Sequence, residues 1–260
     1  MTILDRLAEH ARERIAQAQK ERPMATVCRE ALSLPKGDFP FEKALSGRNL
    51  AFICECKKAS PSRGMIAESF PYLEIASDYE AAGAEAISVL TEPKWFLGDD
   101  RYLREIASAV SVPCLRKDFT VDEYMIYEAK LLGASAALLI GTILDESRLR
   151  DYLAVCDGLG LSALVEAHDE QEVEVALRAR ARIIGVNNRN LKDFSVDPEN
   201  SRRLRQIIPR NVLFVSESGI HTAEDVQAAR DIRADAVLVG EVLMRAADRR
   251  AKLAELRGEG

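Results

Sequence analysis

Eight short apolar segments alternate with eight amphipathic segments from residue 49 onward. The apolar segments lie at residues 50–56, 86–90, 113–116, 135–140, 162–166, 182–186, 212–216 and 235–239. The amphipathic segments lie at residues 70–83, 99–110, 121–133, 146–159, 169–180, 197–207, 222–230 and 241–256. Such alternation predicts a parallel sheet with crossover helices. Eight units in about 210 residues favour a closed (β/α)8 TIM barrel.

A doubly wound open sheet is the alternative architecture. Such a sheet usually carries a glycine-rich loop of the form GxGxxG after its first strand. Here the first predicted strand is followed by Ser-Pro-Ser-Arg-Gly at residues 60–64, which lacks that pattern. No composition break marks a boundary after residue 49, so we predict that residues 49–260 form one α/β barrel domain.

Residues 1–48 differ from this repeating pattern. Apolar residues recur at helical spacing over the first eighteen positions, and Thr2 followed by Asp5 has the form of a helix start. Prolines at positions 23, 35 and 40 then break the segment into short pieces. We predict a helical extension that packs on the barrel and closes over its mouth, because its apolar stripe needs a partner surface.

Composition and charge argue against several classes of function. The net charge of −6 does not suit a general nucleic-acid binder. The longest uncharged run, residues 131–144, is too short to span a membrane, and the charged N-terminus does not resemble a signal peptide. Five cysteines without a CxxC pair predict reduced core thiols in a cytoplasmic protein, and three scattered histidines give no metal spacing.

The first predicted strand ends in charged residues although the segment is otherwise apolar. Glu55 and Lys57 lie two residues apart, so the alternation of a strand places both on one face. Cys54 and Cys56 should then face outward, under the helices. Charged groups at the carboxyl end of a buried parallel strand are typical of an α/β active site. A solvated ion pair at a frayed strand end is the alternative.

Polar residues also follow most of the other predicted strands. They are Thr91 and Glu92, Arg116 to Asp118, Glu166, Asn187 to Arg189, Ser216 to Gly219, and Gly240 with Glu241. The fourth strand, in contrast, ends with the apolar Ile140. Because the carboxyl ends of all barrel strands meet at one face, these groups should share one mouth and bind a polar ligand.

Glycines follow the last two predicted strands, at Gly219 and Gly240, and each precedes a predicted helix. Backbone N–H groups at such positions can bind an anion. Barrels commonly hold phosphate at the loops after their seventh and eighth strands. A single glycine would indicate only a turn, but the two together favour a phosphate site.

The motifs of the chain resemble those of the indole-3-glycerol phosphate synthase family. The matching stretches are E-x-K-x-x-S-P-S at 55–62, S-V-L-T at 88–91 followed by F-x-G at 96–98, L-R-K-D-F at 115–119, L-L-I at 138–140, L-V-E at 164–166, G-V-N-N-R-N-L at 185–191, S-E-S-G-I at 216–220 and L-V-G-E-V-L-M at 238–244. The resemblance covers almost the whole chain, including the N-terminal extension. It implies a carbon–carbon lyase of tryptophan biosynthesis that forms indole-3-glycerol phosphate, carbon dioxide and water from 1-(2-carboxyphenylamino)-1-deoxyribulose 5-phosphate. It implies no metal and no redox cofactor.

The resemblance also implies which residues form the site. The implied catalytic residues are Glu55, Lys57, Lys117, Glu166, Asn187 and Ser218. The implied substrate-binding residues are Ser60, Phe96, Phe119, Leu138, Arg189, Gly219, Gly240 and Glu241. Glu241 is serine in some relatives, and since a carboxylate would repel phosphate, we expect any contact there to come from the backbone.

Lys117 is the implied general acid at the ketone oxygen, and Glu166 the group that assists proton transfer at ring closure and dehydration. We expect burial and neighbouring cations to lower the pKa of Lys117 toward neutrality, because a general acid works best when its pKa is near the working pH. Lys57 would hold the benzoate carboxylate and is a second candidate donor at dehydration. Glu55 and Asn187 would orient the ammonium groups and the sugar hydroxyls.

Two rival functions remain open at this point. A barrel enzyme similar to phosphoribosylanthranilate isomerase would use a Cys/Asp acid–base pair. A non-catalytic sugar-phosphate-binding barrel would keep the two glycines but would not need Lys117 together with Glu166. In each case we expect a small phosphosugar ligand, neither nucleic acid nor membrane as partner, and a monomer or weak homodimer.

Overall fold

The computed structural model describes residues 2–191 and 193–259. The strands are β1 (Ala51–Cys56), β2 (Ala59–Ser60), β3 (Gly64–Met65), β4 (Ala86–Leu90), β5 (Cys114–Lys117), β6 (Ala136–Ile140), β7 (Ser162–Ala167), β8 (Ile183–Asn187), β9 (Leu213–Glu217) and β10 (Ala236–Val239). The helices are α1 (Ile3–Glu21), α2 (Met24–Ser33), α3 (Pro40–Leu45), α4 (Tyr72–Ala81), α5 (Asp100–Ala109), α6 (Glu123–Leu131), α7 (Glu146–Leu159), α8 (Glu170–Arg178), α9 (Glu199–Leu204), α10 (Ala223–Asp231), α11 (Glu241–Arg245) and α12 (Arg249–Arg257).

Eight parallel strands close into a barrel in the order β1-β10-β9-β8-β7-β6-β5-β4. The predicted (β/α)8 barrel is therefore confirmed, and each barrel strand lies within one residue of its predicted bounds. One local prediction is wrong, and one element was not predicted. The last predicted helix is divided into α11 and α12, because Asp248 caps a new helix by accepting a hydrogen bond from the backbone N–H of Ala251. The small antiparallel pair β2–β3 was also not predicted.

The strands are buried on both faces, which explains their continuous apolar sequences. Ile53, Leu115 and Leu164 pack in the barrel interior. Cys54 and Cys56 instead belong to the layer between β1 and the surrounding helices, so their predicted outward orientation is confirmed. All five cysteines are free thiols, and all but Cys28 are buried.

The helices of the N-terminal segment lie at different places on the barrel. The N-terminus of α1 reaches the C-terminal mouth, where Leu4 and Leu7 line the cavity. The middle of this helix is held by Arg14, whose guanidinium donates to both Asp118 oxygens, at 3.1 and 2.6 Å. Helix α2 packs against α6 on the outside of the barrel.

Helix α3 covers the opposite, N-terminal end of the barrel. Phe41 and Leu45 are fully buried there, and the backbone N–H of Glu42 donates to Ser162 Oγ at the start of β7 (3.1 Å). The prediction that residues 1–48 close over the mouth is therefore wrong for α3. The apolar residues of this segment are divided between two surfaces, one at each end of the barrel. The division of the chain into an extension and a barrel domain stays a prediction.

Two further observations concern the described residues only. No helix among them is both long and apolar enough to cross a bilayer. Within residues 2–191 and 193–259, no group of three or more histidine, cysteine or acidic side chains is arranged to hold a metal ion.

Candidate active site

A cavity opens at the C-terminal end of the barrel, with about 1140 Å³ of space between its walls, including the part open to solvent. Its lining includes all fourteen residues that the sequence analysis assigns to the site. They are Glu55, Lys57, Ser60, Phe96, Lys117, Phe119, Leu138, Glu166, Asn187, Arg189, Ser218, Gly219, Gly240 and Glu241. The sequence motifs therefore converge on one mouth, although the role of each residue stays a prediction.

The centre of the cavity is a lysine between two carboxylates. Lys117 ends β5, and its Nζ donates to Glu166 Oε2 at 2.7 Å and to Glu217 Oε2 at 3.1 Å. Together with Glu55 of β1, these residues come from every second strand of the barrel. Alternate strands supply the side chains of one interior layer, which brings these distant residues together.

The prediction of a lowered pKa for Lys117 is wrong. Burial does lower the pKa of Lys117, but the carboxylates of Glu166, Glu217 and Glu55 raise it further, so it lies well above its usual value. The groups next to the ammonium are anions, whereas the prediction assumed cations. Lys117 is therefore a charged hydrogen-bond donor in this site.

The two carboxylates that bind Lys117 have opposite pKa shifts. Burial raises the pKa of Glu166, but Lys117 and His168 lower it further, so this pKa lies below its usual value. Burial raises the pKa of Glu217 to about 7, because Lys117 offsets only part of that effect and Glu166 adds repulsion. Glu166 is thus ionised at neutral pH, whereas Glu217 can hold a proton there.

Glu217 was not among the predicted site residues. It was placed at the mouth with the other polar strand ends, but only Ser218 and Gly219 of its motif, S-E-S-G-I, were assigned to the site. Strand alternation could have identified it, because Val215 points into the barrel and Glu217 follows two residues later. The structure makes room for this side chain at Gly185, where a Cβ atom would collide with Glu217 Oε1.

Glu55 and Lys57 share one face of the chain, as the sequence predicts. Lys57 Nζ donates to Glu55 Oε1 at 2.6 Å, and Ser88 Oγ donates to Glu55 Oε2 at 3.2 Å. Glu55 is only 3% exposed. This burial excludes the alternative of a solvated pair at a frayed strand end.

Asn187 connects the charged layer with the rim of the cavity. Its amide donates to Glu166 Oε1 at 3.3 Å, while its carbonyl oxygen accepts from Ser218 Oγ at 2.9 Å and from the backbone N–H of Arg189 at 3.0 Å. Ser218 and Gly219 have left-handed backbone conformations, with φ of 67° and 85°. This turn aims the Ser218 hydroxyl at Asn187 and leads the chain toward α10.

The rim carries the groups predicted to bind phosphate. Arg189 and the two glycines line the cavity, with Gly219 ahead of α10 and Gly240 directly at the start of α11. The Glu241 carboxylate pairs with Arg63 (3.2 Å) and with Arg245 (3.3 Å). Its negative charge is therefore compensated by two arginines next to the predicted phosphate site.

An apolar wall lies beside these charged groups. The rings of Phe96 and Phe119 are 5.9 Å apart with an angle of 39° between their planes, and Leu138 lines the same cavity. Leu4 and Leu7 of α1 extend this wall. The cavity can thus hold an aromatic ring next to charged groups.

The thiols of β1 do not reach the cavity. Cys54 and Cys56 are buried behind the strand, and burial raises the pKa of both. Asp118 is occupied by Arg14 and by Thr91, whose hydroxyl donates to it at 2.6 Å. These contacts argue against the Cys/Asp acid–base pair of the isomerase alternative.

The closed eight-stranded barrel, with a buried lysine between carboxylates at its C-terminal mouth, has the architecture of a (β/α)8-barrel enzyme. Solved structures of the same fold include 3-hexulose-6-phosphate synthase from Salmonella typhimurium, with a TM-score of 0.65 and 14% identity over 80% of this chain and 97% of that one. N-acetylmannosamine-6-phosphate 2-epimerase from Clostridium perfringens matches with a TM-score of 0.62 and 15% identity over 84% of this chain and 95% of that one.

Sequence similarity is far stronger within one family. The profile of the indole-3-glycerol phosphate synthase family matches residues 4–256. Indole-3-glycerol phosphate synthase from Ruminiclostridium cellulolyticum is 57% identical, over 98% of this chain and 99% of the relative. The enzyme of the same name from Leuconostoc mesenteroides is 49% identical, over 99% of this chain and 96% of the relative. The chain belongs to the indole-3-glycerol phosphate synthase family.

Proposed function

We propose that the chain is a lyase of tryptophan biosynthesis. It converts 1-(2-carboxyphenylamino)-1-deoxyribulose 5-phosphate into indole-3-glycerol phosphate, carbon dioxide and water. The observation that carries this proposal is the Lys117–Glu166 pair, buried in a cavity with an aromatic wall on one side and a rim with Arg189, Gly219 and Gly240 on the other. The family membership and the names of its relatives support the same activity.

Substrate binding requires two anionic groups to be held apart. The carboxylate and the phosphate together carry a charge of about −3 at neutral pH. In this proposal Lys57 binds the carboxylate, while Ser60, Arg189 and the backbone at Gly219 and Gly240 bind the phosphate. The anthranilate ring lies between Phe96, Phe119 and Leu138, which orders the ring next to the ketone.

Ring closure begins when the aromatic carbon attacks the ketone. Lys117 donates a proton to the ketone oxygen as the new carbon–carbon bond forms, since the developing alkoxide is a stronger base than an amine. Loss of carbon dioxide restores the aromatic ring. In the final dehydration Glu166, which is ionised, accepts a proton. The ammonium group of Lys57 is the candidate that protonates the departing hydroxyl. Glu55 and Asn187 orient these groups, and Ser218 holds Asn187 in place.

The raised pKa of Lys117 is compatible with this role. Its ammonium is fully charged near neutral pH, and it gives up its proton only when a strong base develops at the ketone oxygen. Glu217 can hold a proton at neutral pH and lies 3.1 Å from Lys117 Nζ. When Lys117 becomes neutral, a protonated Glu217 can therefore serve as the hydrogen-bond donor of this pair.

The direct test is turnover by the purified chain. Incubation with the carboxyphenylamino-deoxyribulose phosphate should produce indole fluorescence and one carbon dioxide per indole formed. Binding without turnover would indicate a non-catalytic barrel and would contradict the proposal. Conversion of phosphoribosylanthranilate instead would identify the isomerase-like alternative.

The proposal also includes the oligomeric state and the cellular location of the chain. We infer a monomer or weak homodimer, which sedimentation velocity over a range of concentrations can test. We also infer a cytoplasmic location, because five free cysteines, four of them buried, suit a reducing compartment. Fractionation of cells that express the chain would contradict this inference if the protein appeared outside the cytoplasm.

A further inference from the structure

His168 lies one residue beyond β7 and contacts the carboxylate of Glu166. Its Nε2 atom is 3.4 Å from Glu166 Oε1, whereas Lys117 Nζ contacts the other oxygen, Oε2, at 2.7 Å. The carboxylate of Glu166 therefore has a nitrogen at each of its two oxygens. The roles proposed for the residues of the main cavity do not involve this imidazole.

The other side of the imidazole is fixed by Glu172, in the first turn of α8. His168 Nδ1 is 3.1 Å from Glu172 Oε2, and the backbone N–H of His168 donates to the same oxygen at 2.8 Å. The second oxygen, Glu172 Oε1, accepts from Thr142 Oγ1 at 2.6 Å. Asn200 holds the backbone by donating to the His168 carbonyl oxygen at 3.1 Å. The contact at Nδ1 holds one side of the ring, while the other three fix the backbone of His168 and the Glu172 carboxylate beside it.

His168 Nε2 is buried, and among the described residues it forms no hydrogen bond. Glu166 Oε1 is the acidic oxygen that it faces. At 3.4 Å the two groups are close enough to form an ion pair when the ring is protonated, and a protonated ring carries a donor on both nitrogens. The imidazole as a whole is only 16% exposed, so its charge is weakly screened.

The charged groups that face the imidazole come from three elements. They are Glu166 from β7, Glu172 from α8 and Glu217 from β9. His168 and Glu172 also line a second cavity, beside the main one. The other charged residues that line this second cavity are Asp169, Asp197 and Arg189. Burial lowers the pKa of His168, but the bond with Glu172 and the three glutamates raise it further, so this pKa lies above the usual value for histidine.

We propose that His168 is a positioning residue for Glu166: as an imidazolium held by Glu172, it orients the Glu166 carboxylate and keeps it ionised for proton acceptance. The inference rests on the proposed function, because the role of Glu166 as proton acceptor belongs to that function. Lys117 alone cannot fill this role, since it is shared with Glu217. It must also give up its proton during ring closure, and at that moment His168 is the cation that remains beside Glu166.

The consequence is a specific pH dependence. Without the imidazolium, Glu166 binds protons more readily, so the acidic limb of kcat/KM should move to higher pH by about one unit. Glu166 stays ionised near neutral pH in either case, so we expect the loss of its orientation to lower kcat there by about five- to tenfold. KM should change little, because His168 does not line the main cavity.

The first experiment compares pH profiles of three variants. His168→Gln replaces the imidazole with a neutral amide, and Glu172→Gln removes the carboxylate that holds it. Glu174→Gln is the matched control, since this residue lies on the same helix but is 65% exposed. We expect the shifted acidic limb in the first two variants and a wild-type profile in the control. A His168→Gln profile that superimposes on wild type would overturn the proposal, and Glu172→Gln tests it if His168→Gln does not fold.

The second experiment does not depend on turnover. NMR titration of the His168 ring in the intact chain should give a pKa above that of an ordinary histidine, and Glu166→Gln should lower it. An unchanged titration in Glu166→Gln would refute the pairing of the two groups. If the wild-type chain failed to form indole while His168 still responded to Glu166→Gln, the proposed function would fail but the pairing would stand.

Discussion

The two ends of the barrel bury their side chains for different reasons. At the N-terminal end, α3 inserts Phe41 and Leu45 against an apolar interior. At the C-terminal end, Lys117 and Glu166 are buried together, although removing two charges from water is costly even when they pair. The apolar burial at the N-terminal end stabilises the fold. The buried charges at the C-terminal end cost folding free energy, and the rest of the barrel has to offset that cost.

Both arrangements follow from the same geometry. Alternate strands supply Ile53, Leu115, Leu164 and Val215 to one apolar layer. Two residues farther along the same strands, the next layer consists of Glu55, Lys117, Glu166 and Glu217. A single step along four strands therefore changes the barrel from a packed core to a charged site. The comparison predicts that substitutions at the two ends will affect different measurements.

The largest expected effect is the loss of turnover in Lys117→Ala. This variant removes the proposed proton donor, and general acid catalysis typically contributes 10²–10⁴-fold, so kcat should fall by at least about that range. Product affinity should change little. Lys58→Ala is the control, because Lys58 is next to the mouth but outside the residues that line the cavity. An enzyme that kept kcat but lost affinity would make Lys117 a binding residue and Lys57 the acid.

The opposite result is expected at the other end of the barrel. Phe41→Ala removes a fully buried ring, which should lower the free energy of unfolding by about 3–5 kcal/mol while kcat stays close to wild type. Leu32→Ala, in the same N-terminal segment but 59% exposed, should have a much smaller effect on unfolding. Denaturant titration and steady-state assays on the same samples provide the comparison. A large loss of kcat in Phe41→Ala at full folding would show that the two ends are not independent.

A third variant separates binding from chemistry within the mouth. Arg189→Ala removes the cation that we propose contacts the phosphate in substrate and transition state alike, so it should raise KM by about 10- to 100-fold with little change in kcat. Arg202→Ala, at an exposed position on α9, should leave both parameters unchanged. A fall in kcat at unchanged KM would place Arg189 in the chemical steps and contradict the account.

The smallest effect concerns the link between α1 and the mouth. Arg14→Ala removes the guanidinium that binds Asp118, so Leu4 and Leu7 should close the cavity less tightly and KM should rise several-fold. The thermal midpoint should fall by a few degrees, as expected for about 1 kcal/mol in a protein of this size. Arg12→Ala is the control, because Arg12 lies on the same helix but pairs with the exposed Glu9. An unchanged KM in Arg14→Ala would make α1 a packing element only.

Much of this architecture can be predicted from the sequence because it depends on local periodicity. The alternation of apolar and amphipathic segments predicts the position of every barrel strand. The two-residue spacing of Glu55 and Lys57 predicts that both side chains lie on one face of the strand. The surroundings of Lys117 could not be predicted in the same way. Its partners lie 49 and 100 residues away in sequence, so the sign of its pKa shift depends on which side chains the barrel closure brings together.

The other errors have a related cause. Amphipathic spacing shows that α1 and α3 need apolar partners, but it does not show which end of the barrel each one covers. Glu217 was placed at the mouth but was given no role in the site, although it continues the alternation of β9. In both cases the sequence shows the local pattern, but the position of the residues depends on tertiary contacts that the pattern does not contain.

The most direct test of the central claim is a crystal structure of the chain with bound indole-3-glycerol phosphate. The account predicts the phosphate at Gly219, Gly240 and Arg189, and the indole ring against Phe96 and Phe119. The Lys117 ammonium and the Glu166 carboxylate should then face the newly formed ring within about 2.6–3.2 Å, or through one water. A product bound with its indole ring away from both groups would contradict the claim that the charged layer at the mouth carries out the chemistry.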